Sequence, residues 1–135
     1  MDEYTAHINF NPLRLDNSWF TITDIGGMTK EHDHPNSIIS GSFYINVDED
    51  SSPITFQNPN FSSFCLSSVV DDLSAIRSGK RPNFLSPYTY RDYTFLPEKG
   101  DLILFPSWVR HGSSYVPNQT VDRTIISFNT HAVIK

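Results

Sequence analysis

Apolar and polar residues alternate along much of this chain, which is the pattern of β-strands with one buried face. The clearest case is 40–47, where Ser40, Ser42, Tyr44 and Asn46 fall on one face and the intervening residues on the other. Similar β-rich runs occur at 19–23, 54–56, 88–96, 101–105 and 120–130. A polar turn at 48–53 predicts that the strands at 40–47 and 54–56 form a hairpin. Seven or eight short strands favour an all-β sandwich or jelly roll.

The segment from 57 to 87 interrupts this regularity, because it is rich in Pro, Ser and Asn. Within it, Ser67–Arg77 carries apolar residues at helical spacing, so we expect at most one or two short helices in the protein. Long irregular segments in compact domains are often functional. We therefore expect 58–87 to shape a substrate entrance.

Composition limits the classes of protein to consider. A chain of 135 residues with 38% hydrophobic residues is expected to form a single domain, 1–135. The formal net charge of −5 argues against nucleic acid as a partner, because phosphate binding needs clustered Lys and Arg. Cys65 is the only cysteine, so no disulfide can form within the chain. The Met1 end shows no apolar signal sequence and no stretch could span a membrane, so we expect a cytoplasmic protein.

Three histidines occupy positions that suggest a metal site. His32 and His34 project to the same side if their segment is extended, whereas Asp33 would point the other way. His111 follows a buried strand, and a barrel brings such distant strand ends together. Imidazole suits iron, zinc, copper and nickel, so this pattern does not choose the metal. The alternative is that these side chains are simply solvated, and that Arg123 is a surface charge.

Three ordered blocks resemble one family. Glu31–Ile45 resembles the block His-x-His-Pro-Asn-Ser-x-x-Ser-Gly-x-x-Tyr of a small group of 2-oxoglutarate/Fe(II)-dependent oxygenases from marine bacteria and bacteriophages. Gly100–His111 resembles its second block and Arg123–Asn129 its third, while Asn17–Trp19 matches its lead-in strand. The resemblance covers about residues 17–129. It implies a double-stranded β-helix, of the jelly-roll or cupin-like kind.

The resemblance also implies a division of roles. His32, His34 and His111 would be the catalytic metal ligands for Fe(II), and Arg123 would bind the far carboxylate of the cosubstrate 2-oxoglutarate. The reaction would release succinate and CO₂ and hydroxylate a C–H bond. Further candidates for contact with 2-oxoglutarate follow from strand parity. They are Tyr44, Ser42 and Asn129.

One residue departs from the wider superfamily. His34 stands where that superfamily has a carboxylate ligand, so the metal would be held by three neutral imidazoles. Asp33 is the alternative to His34 if a bulge swings it toward the metal.

The reaction expected from the resemblance is hydroxylation of an unidentified protein side chain or small metabolite. The alternative is a cupin-like metal-binding protein or a phage structural protein without turnover. A phage-encoded protein would act in the cytoplasm of its bacterial host. The family's usual form has more chain before the Trp19 strand, so we expect a minimal form or a domain whose sheet is covered by a partner, for example in a homodimer.

Overall fold

The computed structural model describes residues 12–60 and 92–133 of the chain. These residues contain seven strands. No helix occurs within these ranges. The expected helix at Ser67–Arg77, and all but the first residues of the expected entrance segment, lie outside the described residues. The strands are β1 (Leu13–Thr23), β2 (Ile39–Asn46), β3 (Ile54–Gln57), β4 (Asp92–Phe95), β5 (Leu102–Pro106), β6 (His111–Gly112) and β7 (Arg123–Ala132).

Two antiparallel sheets form a jelly-roll-like sandwich, which confirms the all-β prediction. The larger sheet has the strand order β1-β7-β2-β5, and the smaller has the order β4-β3-β6. The register of the larger sheet aligns Trp19 with Ser127 and Ser127 with Ser42. Because side chains alternate between faces, the polar positions of β2 and β7 share the inner face of this sheet.

The predicted hairpin of β2 with β3 is wrong, because the two strands belong to different sheets. Both edges of β2 are already paired, one with β5 and one with β7. β3 instead pairs with β4 and β6. The connection between β2 and β3 is held by other contacts: Ser51 Oγ lies 2.8 Å from Thr120 Oγ1, and the Ser52 hydroxyl donates to the carbonyl of Val116 at 2.7 Å.

The inner face of the larger sheet combines a small apolar core with polar side chains. Tyr44, Val47 and Ile125 form a buried cluster, and Ile103 packs against it. Buried polar groups surround this cluster, among them Arg123, which is 4% exposed. Since burying polar groups is costly unless they are satisfied, this composition points to a site rather than to a purely structural core.

Asn118 joins the loop that precedes β7 to the turn that follows β1. The residue is fully buried, and its amide nitrogen donates to the carbonyls of Thr23, Asp24 and Thr120 at 3.1, 3.0 and 2.7 Å. Its backbone also exchanges hydrogen bonds with Gly26 and Gly27. The Asn118 side chain therefore fixes the loop that leads into β7, the strand that begins with the buried Arg123.

Within the described ranges, the structure has no helix long and apolar enough to cross a membrane.

Candidate functional site

The three histidines singled out in the sequence converge at one end of the sandwich. His32 and His111 form an isolated bridge, in which each backbone N–H donates to the other residue's carbonyl, at 2.9 and 3.0 Å. The backbone N–H of His34 donates to the carbonyl of Ser107 at 2.9 Å. One ligand atom from each of the three imidazoles lies within 4.8 Å of those of the other two. The Nε2 atoms of His34 and His111 are 3.3 Å apart.

Main-chain carbonyls orient two of these rings. Nδ1 of His32 lies 2.8 Å from the carbonyl oxygen of Lys30, and Nδ1 of His111 lies 2.8 Å from that of Val109. A carbonyl can only accept, so each Nδ1 carries the proton and each Nε2 keeps its lone pair. This outer hydrogen bond is the usual partner of a metal-ligating histidine.

The surroundings favour the neutral form of His34 and His111. Burial, together with the neighbouring His32 and His34, lowers the pKa of His111 to about 4 against the opposing hydrogen bond to Val109. Burial also lowers the pKa of His34, with a smaller contribution from His32. A neutral imidazole can bind a cation without first losing a proton, so the lowered pKa values of His34 and His111 favour metal binding near neutral pH.

Asp33, the alternative ligand, is exposed and lies outside the cluster. The group of potential ligand atoms formed by the described residues contains histidines and no carboxylate. The arrangement of His32, His34 and Asp33 is therefore the one expected for an extended segment, in which alternate side chains point to opposite sides.

Arg123 lies in the interior, where no residue of 12–60 or 92–133 serves as its counter-ion. Its Nη2 donates to the carbonyl of Ser52 at 2.9 Å, whereas Nε is buried and has no hydrogen-bond partner among the described residues. No carboxylate of these residues forms an ion pair with it. Burial lowers the pKa of Arg123, and the Tyr44 hydroxyl opposes this change. A buried cation without an anionic partner is unfavourable, so this guanidinium is suited to receive an anionic ligand.

Tyr44 packs beside this cation. The Arg123 guanidinium carbon lies 6.0 Å from the centroid of the Tyr44 ring. Burial raises the pKa of Tyr44 to about 12, while Arg123 and a hydrogen bond with the side chain of Ser42 oppose that rise. The phenol is therefore protonated at neutral pH and can donate a hydrogen bond.

A single cavity of about 110 Å³ connects the histidines with Arg123. All three imidazoles line it, together with Arg123, Tyr44 and Ser42. A cavity needs about 10–15 Å³ of such space to hold one water, so this one has room for several waters or a small ligand. Its walls thus present nitrogen ligands at one place and a cation at another.

Asn129, the remaining candidate, lies outside the lining of this cavity. Its Oδ1 accepts a hydrogen bond from Ser40 Oγ at 2.7 Å, and Ser40 Oγ lies 2.8 Å from Ser107 Oγ. Ser40 and Ser107 are almost completely buried. Because the carbonyl of Ser107 receives the backbone N–H of His34, this network supports the segment that presents His34.

Sequence reasoning missed the contacts that clamp segment 29–32 against 111–114. Ser113 N donates to Thr29 O at 2.9 Å, Thr29 N donates to Ser113 Oγ at 3.0 Å, and the Ser114 hydroxyl donates to the Glu31 carboxylate. This last bond lowers the pKa of Glu31. Gly112 permits the close approach, because a Cβ there would lie 2.9 Å from Glu31 N and from Thr29 O. A glycine directly after His111 was the one available signal.

Comparison with models of protein families shows to which family this chain belongs. The model of a family described as "Putative 2OG-Fe(II) oxygenase" matches residues 17–129. The chain belongs to this family. A search of curated proteins gave no match. The family match confirms the family that the sequence analysis predicts.

The described residues of this oxygenase-family protein fit the two groups that the family implies. Two nitrogens 3.3 Å apart can both lie about 2.1 Å from one metal ion, the usual metal–imidazole distance. The Nε donor left without a partner on Arg123 fits a carboxylate. The cluster formed by the described residues contains three histidines and no carboxylate, whereas the sequence resemblance implies two histidines and a carboxylate in the wider superfamily.

Proposed function

We propose that this protein is an Fe(II)- and 2-oxoglutarate-dependent dioxygenase that hydroxylates a protein side chain or small metabolite. The observation that carries the proposal is one cavity that joins three converging imidazoles to a buried arginine for which the described residues supply no counter-ion. A metal ligand set and an anion-binding cation are the two features needed to hold a 2-oxo acid whose other end is a carboxylate.

His32, His34 and His111 would hold the iron. The carbonyls of Lys30 and Val109 keep two of the rings in the tautomer whose Nε2 can coordinate. Three protein ligands leave further coordination positions free for a chelating cosubstrate. Fe(II) and 2-oxoglutarate would, when bound, supply oxidative chemistry that consumes dioxygen, with one oxygen atom going into succinate and the other into the hydroxylated product, and with release of CO₂.

Arg123 would bind the far carboxylate of 2-oxoglutarate. Its Nη2 is fixed by the carbonyl of Ser52, which leaves Nε as a donor for the cosubstrate. The Tyr44 hydroxyl, oriented by Ser42, would donate a second hydrogen bond to the same carboxylate. A buried position strengthens these bonds, because little water competes for the carboxylate.

His34 favours a second candidate function, metal binding without turnover. Replacing a carboxylate ligand with a neutral imidazole leaves one more positive charge on the site and changes the reactivity of the metal. A cupin-like binding protein would keep the imidazole cluster and would not consume 2-oxoglutarate.

The deciding experiment adds Fe(II) and 2-oxoglutarate to the protein under argon and records the visible charge-transfer band of the chelate. We expect the band to appear and to saturate at one equivalent of each. Succinate formation after admission of air then separates turnover from binding alone. Folded protein that gives no band with both additions would refute the proposed function.

Two variants assign the roles. Arg123→Met keeps an unbranched apolar stem and removes the donors, so it should retain iron and lose the 2-oxoglutarate band. His111→Ala should lose iron binding itself. If Arg123→Met binds 2-oxoglutarate as tightly as the wild-type protein, Arg123 has a structural role only.

A further inference from the structure

The outer face of the larger sheet, directed away from the cavity, is apolar and exposed. One cross-strand row runs through all four strands, since Phe20 pairs with Ile126, Ile126 with Phe43, and Phe43 with Leu102. These side chains are 70%, 36%, 39% and 54% exposed, in that order. Surface strands of a protein that acts alone usually alternate toward polar residues on the solvent side. This row does not.

The apolar layer extends beyond that row. Ile22 and Leu104 continue it at 56% and 57% exposure. Phe128 fills the space over Gly41, where a Cβ would lie 2.2 Å from the Phe128 ring and 2.9 Å from the Leu104 side chain. The register places no charged residue among the side chains that share this face from Ser18 to Ile22 of β1 and along the strand segments paired with it.

The area of this face matches what a dimer needs. An aromatic side chain has about 150–250 Å² of surface. If the Ile and Leu side chains are counted at the lower end of that range, the exposed fractions of these six residues leave roughly 600 Å² of apolar surface in contact with solvent. This area is at the upper limit for the largest apolar patch on an ordinary monomer, about 300–600 Å². A homodimer of standard interface size buries about 800 Å² per partner, of which about 65% is apolar.

We propose that a second copy of this chain packs on the outer face, so that the protein is a homodimer with the two larger sheets face to face. In a two-fold dimer the same patch meets itself, so a charged patch would repel its own copy. The uncharged face avoids that conflict. Two sheets pack about 10 Å apart through such apolar layers, which leaves each cavity on the far side of its own sheet.

Sedimentation velocity on the full chain tests this proposal, over a concentration series up to about 1 mM, where even weak association is visible. We expect a species of twice the 15.4 kDa monomer mass. Leu102→Glu should weaken association by about a hundredfold, because each dimer would bury two unpaired charges. Tyr93→Glu is the matched control, since Tyr93 is also 54% exposed but lies on the opposite sheet.

Three results would overturn the proposal. One is a monomer at every concentration. Another is a dimer that survives both Leu102→Glu and Phe20→Glu but dissociates in Tyr93→Glu. The third is a monomer that Leu102→Glu destabilises more than Tyr93→Glu does in urea unfolding, which would show that another part of the same chain covers the face. None of these readouts depends on metal or 2-oxoglutarate, so the dimer and the proposed function can fail separately.

Discussion

Gly112 offers a direct test of how the metal centre is assembled, because a single methyl group there should separate two of its ligands. In Gly112→Ala the new Cβ would lie 2.9 Å from Glu31 N, 2.9 Å from Thr29 O and 3.1 Å from Glu31 Cα. Ordinary contacts of a Cβ fall at 3.4–4 Å. All three neighbours are backbone atoms, so segment 29–31 must move away by about 0.5 Å.

That movement bears directly on the ligands. His32 follows this segment and is joined to His111 by backbone hydrogen bonds of 2.9 and 3.0 Å. Metal–ligand distances tolerate changes of only about 0.2 Å. We therefore expect Gly112→Ala to bind Fe(II) about 10–100-fold more weakly, the range for disturbed outer-shell support. The overpacking should also lower the free energy of unfolding by about 1–3 kcal/mol.

The assay is anaerobic Fe(II) titration by calorimetry, paired with urea unfolding of the metal-free protein. Gly100→Ala is the control, because Gly100 has φ of +94° with open space around its Cβ position. Alanine there costs about 1 kcal/mol through backbone strain alone. Gly100→Ala should lose stability and keep its iron affinity. Wild-type iron affinity in Gly112→Ala would refute the reasoning that the close approach of these segments sets the ligand geometry.

Three other predictions follow from the buried polar groups. The folded-state pKa of His111 is about 4, below its ordinary value of 6.5, so its contribution to stability is complete above pH 6.5 and is lost as the pH falls. Urea unfolding of the metal-free protein should show a loss of about 2 kcal/mol in the free energy of unfolding between pH 7.5 and 5. An equal loss in His111→Gln would contradict this assignment. Asn118→Ala removes three donated hydrogen bonds and leaves buried carbonyls unsatisfied, so the free energy of unfolding should fall by about 2–4 kcal/mol. A change of less than about 0.5 kcal/mol, the size of a surface effect, would show that Asn118 does not hold the two loops together. Tyr44→Phe should bind 2-oxoglutarate about tenfold more weakly, because about one hydrogen bond is lost, and its iron affinity should not change. An unaltered Kd for 2-oxoglutarate would mean that the Tyr44 hydroxyl bonds only to Ser42.

The strands could be predicted from the sequence because the alternation of side chains is a local property. The strand at Ser40–Val47 was placed within one residue of β2, and turn residues marked most boundaries. β1 was predicted as Trp19–Thr23 but begins at Leu13. The added residues are exposed and are held by pairing with β7. Leu13–Asp16 alternates apolar and charged residues, but Asn17 and Ser18 interrupt the alternation before Trp19.

Strand partners could not be predicted in the same way. The turn at 48–53 resembles a hairpin connection, yet β2 pairs with β5 and β7, which lie more than fifty residues further along the chain. Register between distant strands depends on the packing of whole faces, which no local window contains. The shared inner-face position of Ser42 and Ser127 was implied by parity, but their alignment required the structure.

The candidate site was predictable in its residue types and not in its supports. The spacing of His32 and His34 indicated a common side, and the family blocks indicated His111 and Arg123. The carbonyl of Ser52 that receives Arg123 is a main-chain group in a turn, so no side-chain motif announces it. The absence of a counter-ion for Arg123 among the described residues is likewise a property of packing.

The carbonyls that orient His32 and His111 have a consequence for variation of this centre. The acceptors belong to the main chain at Lys30 and Val109, so replacing either side chain leaves the acceptor atom in the chain. Point substitutions at these two positions should therefore change the surface shape and charge, while the tautomer and basicity of His32 and His111 stay constant. Retuning the metal through these hydrogen bonds would instead require a change in backbone path, by insertion, deletion or proline.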